Sequence, residues 1–327
     1  MMKKVLVLGG TGFLGYYTVK ELLGHGYDVV SISLPPMPTE DLFDGLGVEN
    51  HLFNISDKTD EELLEHLQGV YAVIYAIGAD ERIVPDAPAF TFFYENNVLP
   101  TQRMVRLSRK AGVESFVIFG SYFSEFAERW PEMNLTKMGY PATRLLQEQI
   151  GFAEGEGKMQ VTSLRLPYIF GTMPGRMPLW KMFTDQIKGQ PVFPSLPGGT
   201  AMVTAKQVAQ AAYGAMVKGE HRMTYAIGGI NMKYQEFYQM MVDALGQNET
   251  TQVPVLPLET LLPNFEALDA EAKKAGKEHG IHLAVGARMN SRDLYIDPKV
   301  TMEQLGYKED DVVGAIKETL KFIVEEG

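Results

Sequence analysis

Short continuous apolar runs alternate with longer stretches whose apolar residues recur at helical spacing, and this alternation governs the first 171 positions. Residues 5–8 form an unbroken apolar run of the length expected for a buried parallel strand. From Phe13 the spacing turns helical, with Leu14, Tyr17, Leu22 and Leu23 as packing positions, until Gly24 and Gly26 stop it. Strand-like runs follow at residues 27–34, 48–53, 70–77, 115–119 and 161–166. Between them lie helical patterns at 59–67, 90–111 and 140–150. The first of these opens with acids and the second ends in Arg106, Arg109 and Lys110, as the helix dipole favours. Residues 80–88 read as a loop, and 151–158 as a glycine-rich break. Strand and helix in alternation, joined by short turns, predict an α/β fold built on a doubly wound parallel sheet.

Beyond residue 171 the pattern loosens. Helical stretches appear at 179–187, 206–218, 234–245 and 310–325, with a short strand inside 221–229 and a turn and helix closing at Leu305 and Gly306. Residues 191–200 are rich in proline and glycine, 248–257 read as a turn and an extended stretch, and 258–290 show no legible pattern. The expected division is a main unit of residues 1–171, to which 201–229 return, and a smaller C-terminal substrate-binding lobe of 172–200 and 230–327.

The chain has 327 residues, 45% of them hydrophobic, enough for one large or two small domains with a real core. A formal net charge of −11 at pH 7 argues against nucleic acid or an anionic membrane as partner. It leaves a phosphate-bearing ligand open, because oriented backbone dipoles bind one locally. Cysteine is absent, which excludes disulfides, a thiol nucleophile and thiolate metal sites and agrees with a reducing compartment. No apolar run is long enough to span a bilayer, and the N-terminal one is too short for a signal peptide, so a cytoplasmic protein is expected. The six histidines show no metal-ligand spacing, and no metal is expected. Asp57, Asp60, Glu61 and Glu62 read as a solvated helix start, and the eighteen methionines as soft core filler.

Candidate chemistry gathers where the strands end. Gly9, Thr11, Gly12, Phe13, Leu14 and Gly15 join the first strand to the first helix, with three glycines at three-residue spacing. Gly9 allows a tight turn, Gly12 lets a pyrophosphate approach the backbone, and Gly15 lets helix pack close on strand. The helix start adds free N–H groups and a positive dipole end. Strand, glycine turn and helix in this order predict a dinucleotide cradle, and hence a Rossmann-type sheet. The second strand ends at Ser33, where such folds usually carry an acid for the adenosine ribose. The next residues, from Leu34 to Asp41, offer no arginine for a 2′-phosphate either, so NAD and NADP both stay open as the cofactor. Ala76, Ile77 and Gly78 end the fourth strand with small residues, which suit a ligand crevice and plain helix–strand packing equally.

Several further motifs stand at fixed places: Asn97 and Val98 in the long helix, Ser121 after the fifth strand, and Tyr-Pro-Ala-Thr-Arg-Leu-Leu-Gln-Glu-Gln at 140–149. Leu-Arg-Leu-Pro-Tyr-Ile-Phe-Gly follows at 164–171, then Asp-Pro-Lys at 297–299 and Leu-Gly-Tyr at 305–307. With the glycine turn, these make the chain resemble, over nearly its whole length, an extended short-chain dehydrogenase/reductase of the NAD-dependent epimerase/dehydratase group. The resemblance implies a Ser–Tyr–Lys site. In it, tyrosine exchanges a proton with the substrate oxygen while hydride passes to or from nicotinamide, lysine holds the ribose and lowers the tyrosine pKa, and serine bonds the reacting oxygen. Ser121 and Tyr140 fill the first two positions, and Arg144 stands where the lysine is expected. The resemblance further implies that Asn54, Ile55, Ala76, Ile77, Gly78, Pro167 and Ile169 line the dinucleotide. It also implies a homodimer through the helices near 94–111 and 140–150.

Four apart on a helix, Tyr140 and Arg144 share one face, about 6 Å apart along the axis. A phenol with a pKa of about 10 ionises more readily beside a cation. Arginine's planar fork differs from an ammonium, so the ribose contact does not carry over with the position. Sugar-nucleotide enzymes of the family often carry an arginine before a Phe-Val-His-Val-Asp-Asp-like segment; this chain reads Thr-Ala-Met-Val-Thr-Ala-Lys-Gln at 200–207. Arg176, Lys181 and Arg292 are the basic residues left for a diphosphate, while Phe90, Phe92, Phe93, Tyr94, Tyr122 and Phe123 are aromatic. The expectation is an NAD(P)-dependent oxidoreductase or epimerase/dehydratase whose small-molecule substrate is a small or apolar carbonyl or alcohol. A nucleotide-sugar epimerase and a non-catalytic dinucleotide sensor are the alternatives.

Overall fold

The computed structural model describes residues 3–327. The first strand, β1 (Lys4–Leu8), sends Val5 and Val7 to one face and Leu6 and Leu8 to the other, all fully buried. A strand with both faces buried belongs at the centre of a sheet, and β1 lies there. It leads through the glycine turn into α1 (Phe13–Gly24), β2 (Asp28–Ser33) and the edge strand β3 (Glu49–Leu52). Next come α2 (Asp60–His66) and β4 (Val70–Tyr75). At the start of α2, Thr59 accepts from the Glu62 amide at 3.2 Å and Glu62 accepts from the Thr59 amide at 2.8 Å.

The long helical pattern at 90–111 is α3 (Ala89–Phe93) and α4 (Leu99–Ala111), joined by a π-helical turn at Tyr94–Val98. After β5 (Ser115–Ser121) the chain enters α5 (Tyr122–Arg129) at once, a helix the sequence pattern did not reveal. Then follow α6 (Gly139–Gly155), β6 (Gln160–Leu166) and β7 (Tyr168–Phe170). The expected break at 151–158 is a correction, since α6 continues through its first five residues. Gly151 and Gly155 are glycines because the helix presses on the sheet. A Cβ there would stand 2.7 Å from the Ile118 side chain and 2.2 Å from that of Val161.

The second half runs α7 (Lys181–Ile187), β8 (Gly199–Thr204), α8 (Ala205–Lys218), β9 (Thr224–Ala226), β10 (Ile230–Lys233) and α9 (Tyr234–Ala244). It ends with α10 (Leu258–Lys274), α11 (Leu283–Asn290), β11 (Asp293–Leu294), α12 (Lys299–Leu305) and α13 (Val312–Glu326). The stretch 258–290 therefore holds two helices. Its pattern is illegible because α10 buries no residue and carries Pro263.

Seven parallel strands form the main sheet in the order β3-β2-β1-β4-β5-β6-β9. This is the doubly wound order, with the switch between β1 and β4, where ligands bind beyond the carboxyl ends of the strands. Helices α1 and α8 cover one face, and α2, α4 and α6 the other. A small sheet has β10 and β11 on either side of β8, with β7 also paired to β8. Of residues 201–229, the first four lie in this small sheet, while α8 packs on α1 and β9 extends the main sheet. Among the described residues no helix is long and apolar enough to cross a membrane.

Candidate active site

The glycine turn is built by close approach. Gly9 has φ +88°, and its N–H donates to the Ile32 carbonyl at 2.7 Å. A Cβ on Gly9 would meet the Ala76 carbonyl oxygen at 2.6 Å, and one on Gly15 would meet the Gly9 oxygen at 2.0 Å. Gly12 has looser surroundings, with only the Gly9 oxygen at 3.0 Å. It precedes α1 without any side-chain cap, which leaves first-turn N–H groups for an anion. Buried Thr11 donates its N–H to the buried Ser33 hydroxyl at 3.0 Å, which ties the turn to the end of β2.

Two adjacent cavities open above the strand ends. One, of about 280 Å³, is lined by Ser33, Asn54, Ile55, Ile77 and Gly78 and carries no charged side chain. The other, of about 320 Å³, takes Phe13, Leu14, Ala76, Ile77 and Gly78 on one side. On the other side stand Ser121, Tyr140, Arg144, Pro167 and Ile169. Gly9, Thr11, Gly12 and Gly15 form the turn beneath and line neither.

Ser121 ends β5 and caps α5, accepting from the Phe123 amide at 3.3 Å. Tyr140 is the second residue of α6 and is 4% exposed, its ring edge-on to Phe93 and Phe123. Burial pushes its phenol up to about 12; Arg144 and the Ser121 hydroxyl pull it down, and Glu81 and Asp80 add to the rise. One turn on, Arg144 is 6% exposed, with its guanidinium carbon 5.6 Å from the Tyr140 ring centre. Its Nη2 donates to the Phe119 carbonyl, while its Nε has no partner.

Three contacts escape the sequence pattern, although Asn97 itself stands out in its motif. The Asn97 side chain brackets Ala79, accepting from its N–H at 2.7 Å and donating to its carbonyl at 3.0 Å, which fixes the exit of β4. The loop beyond brings Asp80, Glu81 and Arg82 into the cleft wall, and desolvation raises the Glu81 carboxyl. The Tyr140 N–H donates to the Gly280 carbonyl at 2.9 Å, a contact across 140 residues that no local signal announces. The far wall is aromatic: Tyr122, Phe123, Tyr168, Trp180 and Phe183. Two of the three basic candidates are committed elsewhere, Lys181 to Asp185 at 2.7 Å and Arg292 to Glu132 at 2.6 Å. Arg176 lines a neighbouring cavity, shared with Arg82 and Phe13. Among the described residues no group of three or more His, Asp or Glu side chains is placed to hold a metal.

A sequence model of the NAD dependent epimerase/dehydratase family matches residues 5–228. The chain is similar to a sterol-4-alpha-carboxylate 3-dehydrogenase, decarboxylating, of Dictyostelium discoideum. The two are 21% identical over 274 residues, 78% of this chain and 80% of that one. A UDP-glucose 4-epimerase of Klebsiella pneumoniae is 30% identical over 128 residues, 36% of this chain and 88% of that one. Among solved structures, that of gox2253 shares the fold at TM-score 0.78 and 19% identity over 99% of both chains.

Proposed function

The chain belongs to the NAD dependent epimerase/dehydratase family, and from that footing we propose that it is an oxidoreductase of apolar alcohols or ketones with Tyr140 as its acid and base. The dinucleotide fits the residues present. Gly12 has the Gly9 oxygen as its one close neighbour, the helix start behind it is uncapped, and an uncharged cavity continues beyond Ile77. When bound, NAD supplies the hydride acceptor, or its reduced form the donor. The adenosine-side cavity holds neither a carboxylate nor a cation, so NAD and NADP are both to be titrated.

The observation that carries the substrate class is the cleft itself. Tyr140 and Ser121 line a cavity together with the aromatic residues Tyr122, Phe123, Tyr168, Trp180 and Phe183, and Lys181 and Arg292 are already paired. A ring or chain of low polarity gains from burial against such a wall. The aromatic wall itself offers a diphosphate no cation; Arg82 is paired with Asp80, and Arg176 stands in the neighbouring cavity. In the oxidising direction the Tyr140 phenolate takes the proton of the substrate hydroxyl, and in the reducing direction the neutral phenol returns one. Ser121 orients the same oxygen. Arg144 favours the phenolate that burial disfavours.

A panel of sterols, long-chain alcohols, their ketones and UDP-sugars, followed by NADH absorbance, tests this reading. Tyr140→Phe is expected to abolish turnover while leaving NAD affinity nearly unchanged. Turnover that survives the substitution removes Tyr140 from the mechanism. The Klebsiella relative favours a second reading, a nucleotide-sugar epimerase. Calorimetric binding of UDP-glucose would support it, and binding of apolar ketones alone would set it aside.

A further inference from the structure

The segment between α10 and α11 touches the cleft from outside at two levels. Its first residues run beside the loop that follows β4. The Ala87 N–H donates to the Gly276 carbonyl at 2.9 Å, and the Glu278 N–H to the Pro85 carbonyl at 3.1 Å. Lys277 pairs with Asp86 at 2.8 Å. The Glu278 carboxylate accepts from the Ala89 N–H at 2.7 Å, and His282 lies 3.1 Å from its other oxygen. Two residues on, the Gly280 carbonyl takes the N–H of Tyr140. That N–H is one of the first-turn donors of α6, which have no partner inside their own helix.

Packing leaves little slack in this arrangement. A Cβ on Gly280 would stand 2.5 Å from the Phe93 ring and 2.9 Å from the Tyr140 Cβ. Ile281 is buried in one cluster with Ala89, Phe93 and Tyr140. At the near end of the loop Asn97 brackets Ala79, so residues 80–84 span the cleft between two fixed points. Asp80 and Glu81, in that span, act on the Tyr140 phenol. One segment therefore sets both the seat of the tyrosine and the place of the charges around it.

We propose that residues 276–282 are a strap that positions Tyr140 and the cleft loop for proton transfer, with Glu278 as its anchor. The proposal rests on the reading of Tyr140 as acid and base. Glu278 acts through its neighbours and is a positioning residue. The test compares wild type, Glu278→Ala and Glu278→Gln by amide hydrogen exchange and by steady-state kinetics on the substrate that the panel identifies. Glu278→Ala is expected to speed exchange in peptides covering 80–89 and 139–142. It should lower kcat by about 100-fold, the loss that a misplacement of about 1 Å causes, with KM and NAD affinity little changed. Glutamine keeps an acceptor for the Ala89 N–H, so Glu278→Gln should restore most of both. Wild-type exchange at those peptides in Glu278→Ala, or faster exchange with wild-type kcat, overturns the proposal. If wild type turns over nothing on the panel, the functional reading falls, and the exchange arm still decides whether Glu278 holds the loop and Tyr140.

Discussion

Replacing Arg144 with leucine removes the cation whose field favours the Tyr140 phenolate. The guanidinium carbon lies 5.6 Å from the ring centre. With the ring-centre distance taken as the scale of the charge separation and an effective dielectric of about 20, a unit charge contributes about 3 kcal/mol. That energy corresponds to a pKa change of about two units. The direction is upward, for a phenol that burial already holds at about 12. Oxidation needs the phenolate, so in Arg144→Leu the rising limb of its pH–rate profile moves about two units to higher pH. Below that limb the oxidation rate falls about 100-fold. Reduction uses the neutral phenol and is largely spared. Arg144→Lys keeps the charge and should stay close to wild type. The leucine variant loses a buried Nε that had no partner, but it also loses the donor to the Phe119 carbonyl, so a destabilisation of about 1–3 kcal/mol is expected. The assay is a pair of pH–kcat profiles, one in each direction, beside a thermal melt. A leucine variant that is folded at the assay temperature and keeps its oxidation profile refutes the electrostatic role.

Two further predictions separate fold from site. In Gly15→Ala the new methyl meets the backbone of Gly9 at 2.0 Å, so α1 must leave β1, and overpacking costs of about 1–3 kcal/mol should lower the melting temperature. Gly12→Ala meets only one oxygen at 3.0 Å, so it should melt near wild type yet bind NAD poorly in calorimetry; the reverse order would refute these assignments. Tyr75 is fully buried, its hydroxyl has no partner, and burial pushes it up to about 12 from an ordinary 10.0. A phenol with a raised folded-state pKa holds its proton more tightly when folded. Its contribution is thus complete below pH 10 and is lost as the pH climbs to 12, about 3 kcal/mol in all. Tyr75→Phe should therefore leave stability at pH 7 intact and flatten the alkaline loss in urea unfolding, and an unchanged alkaline slope would contradict this.

The sheet and its cradle were legible because their signals are local. An apolar run at 5–8, glycines at 9, 12 and 15 and a helical period from Phe13 lie within one short stretch, and Gly9 and Gly15 have a direct steric reason in the structure. Ser121, Tyr140 and Arg144 could be named from their motifs, and the structure brings all three to one cavity. Local signals failed where a residue type answers to a distant neighbour. Gly151 and Gly155 resemble a helix stop, yet they are small because Ile118 and Val161 lie against them. The stretch 258–290 has no readable face because α10 buries nothing. Ser33 stands where a ribose acid was expected, and only the folded chain shows its hydroxyl accepting from Thr11. The hold of Gly280 on Tyr140 joins residues 140 positions apart. Periodicity and turn chemistry act over a few residues, so they write elements and local motifs into the chain. Which residues meet across the cleft depends on how those elements pack, and no short stretch of sequence carries that information.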